Sequence, residues 1–395
     1  MRDRLRVVVG GYLGLLRAGG VTWDYLQYPL GLAELGCDVF YVEDTRLWPV
    51  YAAGDGTVEA SANVAHLAAA MKAFGLAERW AYRDEVSGEC FGMPLPRVHE
   101  VCATADLLIN VSCSTVMRDE YASIPVRALI DSDPMFTQIQ CETAISFTAG
   151  ESNLRALLQS HTHHLTYGES QGLPGCRMPS CGVTWQATRQ PIVLRHWPLP
   201  DEPAREDAAY TTVMNWSAVP PLRWNGETWG QKNVELLRLL GLPRRVPALR
   251  LAIAVGQTQG DPFPAEAARR QGWSIEDPAR CAGDWKTYRR FLQRSRGELS
   301  VAKETYVKGC TGWFSGRSAC YLASGRPVVA QDTGWTAHLP SGAGLLAFTD
   351  EEEAVDALSR VEADWAMHAR AARRVAEEHF HSDRVLGDLL RAVGF

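Results

Sequence analysis

Two groups of residues in this 395-residue chain have types and spacing suited to chemistry. The first runs from Gly312 to Gly334. Gly312, Ser315 and Gly316 stand just before a helix predicted to begin near Arg317 and Ser318. A helix start presents unpaired N–H groups and the positive end of the helix dipole, an arrangement that holds a diphosphate. Arg317 would add a two-pronged contact to phosphate oxygens. A second polar turn, Asp332-Thr333-Gly334, follows the predicted strand Pro327–Ala330. A Gly-capped helix feeding a buried strand accounts for the same residues, and at this level both readings stand.

The second group is carboxylates. Asp24 closes a glycine-rich loop (Gly10, Gly11, Gly14, Gly19, Gly20) and is expected at the N-terminus of a first helix, Asp24–Leu35. Asp131 and Asp133 follow an apolar strand into Pro134, and Glu169 follows another at Leu165–Tyr167. A carboxylate in such a place can take a proton from a hydroxyl. It can also cap a helix or organise a turn. His161, His163 and His164 with Cys176 and Cys181 supply metal-ligand types, but their spacing fits no zinc module, so no metal site is expected. No Gly-x-Ser-x-Gly elbow suggests a hydrolase.

These residues need a scaffold, and the alternation of elements supplies one. Leu5–Val9, Val39–Val42, Asp106–Val111 and Val126–Ile130 read as strands, with helices at Asn63–Phe74 and Leu154–Gln159 between and after them. The segment 198–209, rich in proline and charge, reads as a linker. A second series follows: strands Tyr210–Met214, Arg250–Val255 and Pro327–Ala330, with helices Asn233–Leu240, Trp285–Ser295 and Ser315–Ser324. Glu351–Val393 is strongly helical. The pattern predicts an α/β protein of two Rossmann-like, doubly wound domains facing across a cleft. Ligands in such sheets bind beyond the strand C-termini.

Composition narrows the function class. With 46% hydrophobic residues and a net charge of −6, the chain is expected to be globular and a basic nucleic-acid surface is not the default expectation. Ten cysteines without a C-x-x-C pair favour a reduced, cytoplasmic protein. The first sixteen residues have the outline of a signal peptide, but the glycines and the absence of a small-x-small site favour a first strand. No run of 18 apolar residues predicts a membrane span.

The run LASGRPVVA, a TG turn and then LPSGAGLLAFTDEEEAVDAL resembles the C-terminal donor-binding domain of GT-B-fold glycosyltransferases. LAELGCDVFYVED after the first glycine loop is similar to that superfamily's N-terminal opening. The resemblance implies residues 1–200 as the acceptor domain and 209–375 as the donor domain. It implies that the helix at 376–395 packs back on the first. It implies transfer of a hexosyl or deoxyhexosyl group from a UDP- or dTDP-sugar to a hydroxyl or amine, without a cofactor or metal. The acceptor would be a small molecule, such as a secondary metabolite, or a saccharide. Lys232, Ser300 and Lys303 become donor contacts by position, beside Ser315, Gly316, Arg317, Ser318, Asp332, Thr333 and Gly334. Asn215-Trp216-Ser217 ends the first strand of the donor domain, and Trp313 and Trp335 are placed to shape a sugar pocket. Asp24, Asp131 or Asp133 would be the base.

The resemblance departs at one point. Many retaining members carry two glutamates eight positions apart, where this chain has Gly312 and Cys320, so the stereochemical outcome stays open. Three other readings share the pattern: a nucleotide-sugar epimerase, a non-catalytic sugar-nucleotide-binding protein, and an NAD-dependent oxidoreductase. The last draws on Glu43, near the ribose-binding distance from the glycine loop, although G-x-G-x-x-G is absent.

Overall fold

The computed structural model describes residues 4–47, 59–143, 153–256, 260 and 262–395. Its first sheet contains β1 (Arg6–Gly10), β2 (Asp38–Glu43), β3 (Trp80–Arg83), β4 (Cys90–Gly92), β5 (Leu107–Val111), β6 (Val126–Asp131), β7 (His163–Thr166) and β8 (Trp185–Ala187). They lie in the order β4-β3-β2-β1-β5-β6-β7-β8, parallel except for the β3–β4 pair. Val7, Val8 and Val9 are fully buried, as a central strand covered on both faces requires. Val7 pairs with Val39 on one side and Leu107 on the other.

The second half repeats the plan. After β9 (Tyr210–Met214), a hairpin of β10 (Leu222–Trp224) and β11 (Glu227–Trp229) turns through Asn225 and Gly226, both at positive φ. Asn-Gly is the pair that such a turn favours. Then come β12 (Leu251–Val255), β13 (Ser274–Glu276), β14 (Gly297–Ser300), β15 (Val328–Gln331) and β16 (Leu345–Phe348). The order β13-β12-β9-β14-β15-β16 is all parallel. Both sheets therefore reverse direction of growth beside their first strand, at β1/β5 and β9/β14, where a doubly wound sheet opens a crevice.

The first helix spans Gly19–Glu34, so it begins earlier than the expected Asp24. Ala18 is its N-cap, and Asp24 lies in its second turn instead of capping it. The reason is tertiary. A Cβ on Gly19 would sit 2.2 Å from the carbonyl oxygen of Asp284 and 2.6 Å from Cβ of Tyr288. Both belong to the second half, where Asp284 caps the helix Trp285–Arg294. Trp23 Nε1 donates to the Trp285 carbonyl at 2.9 Å, fastening the same contact. Gly19→Val is therefore expected to force the two helices apart at a cost of about 1–3 kcal/mol, readable in denaturant unfolding.

At the other end of the chain, Ile192 bonds to both Phe380 (N to O, 2.7 Å) and Ser382 (O from N, 2.9 Å). The helix Ser382–Ala392 lies against Gly31, where a Cβ would meet Leu386 Cδ1 at 2.5 Å. The last helix thus packs on the first one.

Candidate active site

A cleft of about 410 Å³ lies between the C-terminal edges of the two sheets. Asp24, Tyr25, Ser112, Asp133 and Tyr167 line it from the first half. Lys232, Tyr288, Lys303, Trp313, Gly316 and Arg317 line it from the second. Its charges are sorted by side: carboxylates on the first wall, cations on the second.

Lys232 is the first residue of the helix Lys232–Arg238. Among the described residues no hydrogen bond or ion pair holds its ammonium. Burial pushes its pKa well down, and the neighbouring Arg317 and Lys303 push it further, against partial compensation by Glu298 and Asp133. An ammonium crowded by two other cations in a cleft is electrostatically favourable to an anion beside it.

Arg317 differs from the sequence expectation. Its guanidinium pairs with fully buried Glu298 through Nε and donates to the Val213 carbonyl, and Nη2 reaches Ser300 Oγ at 3.1 Å. Three of its five N–H groups are committed to its own domain, so it is an anchored cation facing the cleft, not a free phosphate fork. Ser300 is correspondingly taken: it also meets Ser318 Oγ at 3.1 Å, and both serines are buried outside the cleft.

Lys303 bonds both oxygens of Asp133, at 2.8 and 2.7 Å, across the cleft. Tyr306 also donates its hydroxyl to Asp133, and Trp313 Nε1 donates to the Ser132 carbonyl at 3.2 Å. Tyr306 and Trp313 stack with ring centres 4.3 Å apart. The expected base and the expected phosphate contact thus neutralise each other as a tie between the halves. Lys303→Met is expected to change stability by about 1 kcal/mol or less, because the pair is partly exposed. Loss of the tie should still lower turnover by up to about 100-fold through misplacement of the walls. Thermal melting and kcat, measured together, check this.

Asp24 projects from the first helix toward the start of the helix Gly316–Ala323. A Cβ on Gly316 would stand only 3.0 Å from Asp24 Oδ1. A side chain there would crowd the Asp24 carboxylate and Gln190, whose Cγ would lie at 3.1 Å. Burial raises the Asp24 pKa to about 7, while Arg317 and Lys232 pull it down. A carboxyl balanced near neutrality is suited to exchange a proton with a substrate hydroxyl. Its backbone is held from behind: Gln190 Nε2 donates to the Asp24 carbonyl at 2.9 Å, and Tyr167 donates to Gln190 Oε1 at 2.7 Å.

Several expected site residues lie elsewhere. Asp131 is fully buried and accepts from Thr137 (2.6 Å), Gln138 (2.8 Å), Thr166 (2.9 Å) and the Asp133 amide (3.1 Å). It organises the turn after β6 and has no access to a substrate. Asp332 accepts from the Gly334 amide and the Thr336 hydroxyl, each at 2.8 Å, and Thr333 donates to the Trp313 carbonyl at 2.6 Å. With Gly334 at positive φ, this turn props the loop that carries Trp313 without lining the cleft. Trp335 and Trp216 are core residues, whereas Trp313 and Asn215 do line the cleft. Glu169 pairs with Arg189 away from it. His161 is buried against the Leu157 carbonyl, and no metal-binding group of His, Cys, Asp or Glu occurs among the described residues.

Glu43 bears on the dinucleotide reading. Its buried carboxylate accepts from the amides of Gly14 (2.8 Å) and Leu15 (2.5 Å) and from Tyr41 (3.0 Å). The amides that would cradle a pyrophosphate at the first loop are therefore occupied by the residue that would have bound ribose. Gly312 and Cys320, at the places of the two glutamates of retaining enzymes, offer no reacting group. Gly312 is at positive φ against Ser170, and Cys320 is buried in the core.

Similarity of the whole architecture to solved structures decides the fold. An α-glucosyltransferase in complex with UDP and a 13-mer DNA aligns over 99% of this chain and 100% of its own, at a TM-score of 0.58 and 10% identity. This chain has the GT-B fold. AviGT4, a glycosyltransferase involved in avilamycin A biosynthesis, aligns over 98% of this chain and 97% of its own, with TM-score 0.55 and 14% identity. HepE from Anabaena, in complex with UDP and glucose, gives 98% and 100%, TM-score 0.56 and 9% identity. No family model matches the sequence, and no curated protein is significantly similar to it.

Within this GT-B architecture the sequence had not singled out Tyr288, Tyr306, Ser132 or Gln190. Tyr288 lies on the face of the helix Trp285–Arg294 toward Gly19, and only the pairing of helices from separate halves brings it to the cleft.

Proposed function

We propose that this protein is a glycosyltransferase that moves a sugar from a nucleoside-diphosphate sugar to a hydroxyl or amine of a small-molecule or saccharide acceptor. The observation that carries the reading is Lys232: a crowded ammonium, unpartnered among the described residues, that shares the cleft with the Gly316 helix start and with a carboxyl raised to a pKa of about 7. Breaking the sugar–phosphate bond leaves a diphosphate with added negative charge. Lys232, Arg317 and the N-terminal dipole of the helix Gly316–Ala323 are fixed in place to receive it. Asp24, ionised, accepts the proton of the attacking hydroxyl. Closure by the Lys303–Asp133 tie keeps water from the activated sugar.

The cations carry the charge that a divalent metal carries in other transferases, so turnover is expected to persist in EDTA. The likeness to HepE and to the α-glucosyltransferase, both solved with UDP, supports a uridine donor, and a deoxythymidine donor is the alternative to be tried beside it. Free thiols on all ten cysteines fit a cytoplasmic setting. A UDP- and dTDP-sugar panel, incubated without acceptor and then with hydroxylated acceptors, tests the proposal. Slow donor hydrolysis accelerated by one acceptor class is expected. Release of an isomerised sugar nucleotide instead would convert the reading to an epimerase, and no reaction with any donor would remove it.

A further inference from the structure

A second groove, of about 630 Å³, lies on the other side of the helix Trp285–Arg294 from the cleft. Arg205, Arg280, Arg290, Arg294 and Arg326 line it, with Glu202 the acidic residue among its lining. Two of the arginines are matched by nearby acids: Arg205 grips Asp207 at 2.8 and 2.9 Å, and Arg280 lies 3.6 Å from Asp277. The other three have no ion pair among the described residues. Arg290 and Arg294 are exposed and stand four residues apart, on one helix face, where like charges repel. The carboxylate that Arg290 faces, Asp284, is already engaged as the helix cap by the amides of Lys286 and Thr287. Arg294 lies over the Phe291 ring at 5.1 Å. Arg326 is buried, donates to the Gln293 carbonyl, and is drawn down to a pKa of about 10 by burial and by Arg296.

The opposite wall is not a loose strand of chain. The segment from Pro198 to Ala204 is fixed by Gln293 Nε2 to the Pro198 carbonyl (2.9 Å) and by Arg296 to the Ala204 carbonyl (3.3 Å). Leu199 is half-exposed beside the groove. A fixed concave surface that shows two exposed guanidinium groups, Arg290 and Arg294, without an ion pair among the described residues, and holds Arg326 behind them on the Gln293 carbonyl and over the Trp365 ring, gathers positive charge on one face of a chain of net charge −6. Guanidinium forks match phosphate oxygens in pairs, and their mutual repulsion falls when such an anion enters.

We propose that this groove binds a phosphate-bearing ligand, separately from the cleft between the sheets. Soluble polyphosphates and phospholipid headgroups share this chemistry, and Leu199 beside the arginines suits either a ligand with an apolar part or a lipid.

The test uses the full chain carrying Lys232→Ala, which removes a cleft cation that has no partner among the described residues, with and without Arg290→Glu/Arg294→Glu. Both arginines are exposed, so the melting temperature should hold, and Arg290→Gln/Arg294→Gln serves if the charge reversal fails to fold. Inorganic tripolyphosphate is titrated calorimetrically, and cosedimentation is measured with phosphatidylglycerol and phosphatidylcholine vesicles. Tripolyphosphate binding weakened tenfold or more by the double substitution supports a soluble ligand. Selective binding to phosphatidylglycerol vesicles, lost in the same variant, supports a lipid headgroup. Absence of both, or binding that the variants leave unchanged, overturns the proposal. So does tighter binding of a 20-base-pair DNA duplex with the same loss, which would make the groove a nucleic-acid face.

Discussion

Lys232→Ala is expected to lower kcat/KM for the sugar-nucleotide donor by about 10²- to 10³-fold, the usual effect of removing one preorganised group that receives transition-state charge. Fold stability should not fall with it. The ammonium is held below its ordinary pKa by burial and by Arg317 and Lys303, so its charge opposes folding in the ligand-free protein. The unfolded chain binds this proton more tightly than the folded one. Stability should therefore rise with pH between the depressed pKa and the ordinary lysine range, and the alanine variant should lose that slope. A purely structural lysine gives the reverse: lower melting temperature and unchanged turnover per folded molecule. Steady-state kinetics and thermal melts at two pH values separate the cases.

Asp24→Asn should reduce kcat by about 10²- to 10⁴-fold, the range for loss of a general base. In the native protein, kcat/KM should fall tenfold per pH unit below about 7, because the base must be ionised and its pKa sits there. The stability sign runs the other way from that of an ion-paired carboxylate. Burial raises this pKa above its unfolded value, so the folded state binds the proton more tightly. Stability is highest below the ordinary aspartate range and declines as pH rises through about 7. Asparagine, neutral throughout, should remove both the acid limb of the rate profile and part of that decline. Asp133→Asn is a control: its carboxylate is engaged by Lys303 and Tyr306, so the acid limb should persist.

Features encoded by local sequence signals were legible from the residues alone, and features made by distant contacts were not. Glycine spacing, valine runs and helical periodicity exposed two doubly wound sheets. The helices Trp285–Arg294 and Gly316–Ala323 fall within a residue of expectation at each end. The first helix was misjudged at its start because glycine has low helix propensity. Gly19 is there for the close approach of Asp284, a contact made 265 residues later in the chain. The same gap explains Arg317 and Asp131. Each was placed correctly at a helix start or a strand end, but its partners, Glu298 for one and Thr137, Gln138 and Thr166 for the other, come from neighbouring elements. Sequence position identifies which end of the sheet a residue occupies. It does not tell whether its polar atoms are already spent. Lys232 and Asp24 stand apart because they reach the cleft with no hydrogen bond or ion pair to their charged groups among the described residues.

On the proposed function, the second wall of the cleft holds a nucleoside diphosphate through Lys232. Calorimetric titration of UDP into the native protein and into Lys232→Ala, both in EDTA, tests it most directly. Saturable binding to the native protein is expected, weakened at least tenfold by the substitution. Binding of equal strength to both proteins, or none to either from UDP or dTDP, would contradict it.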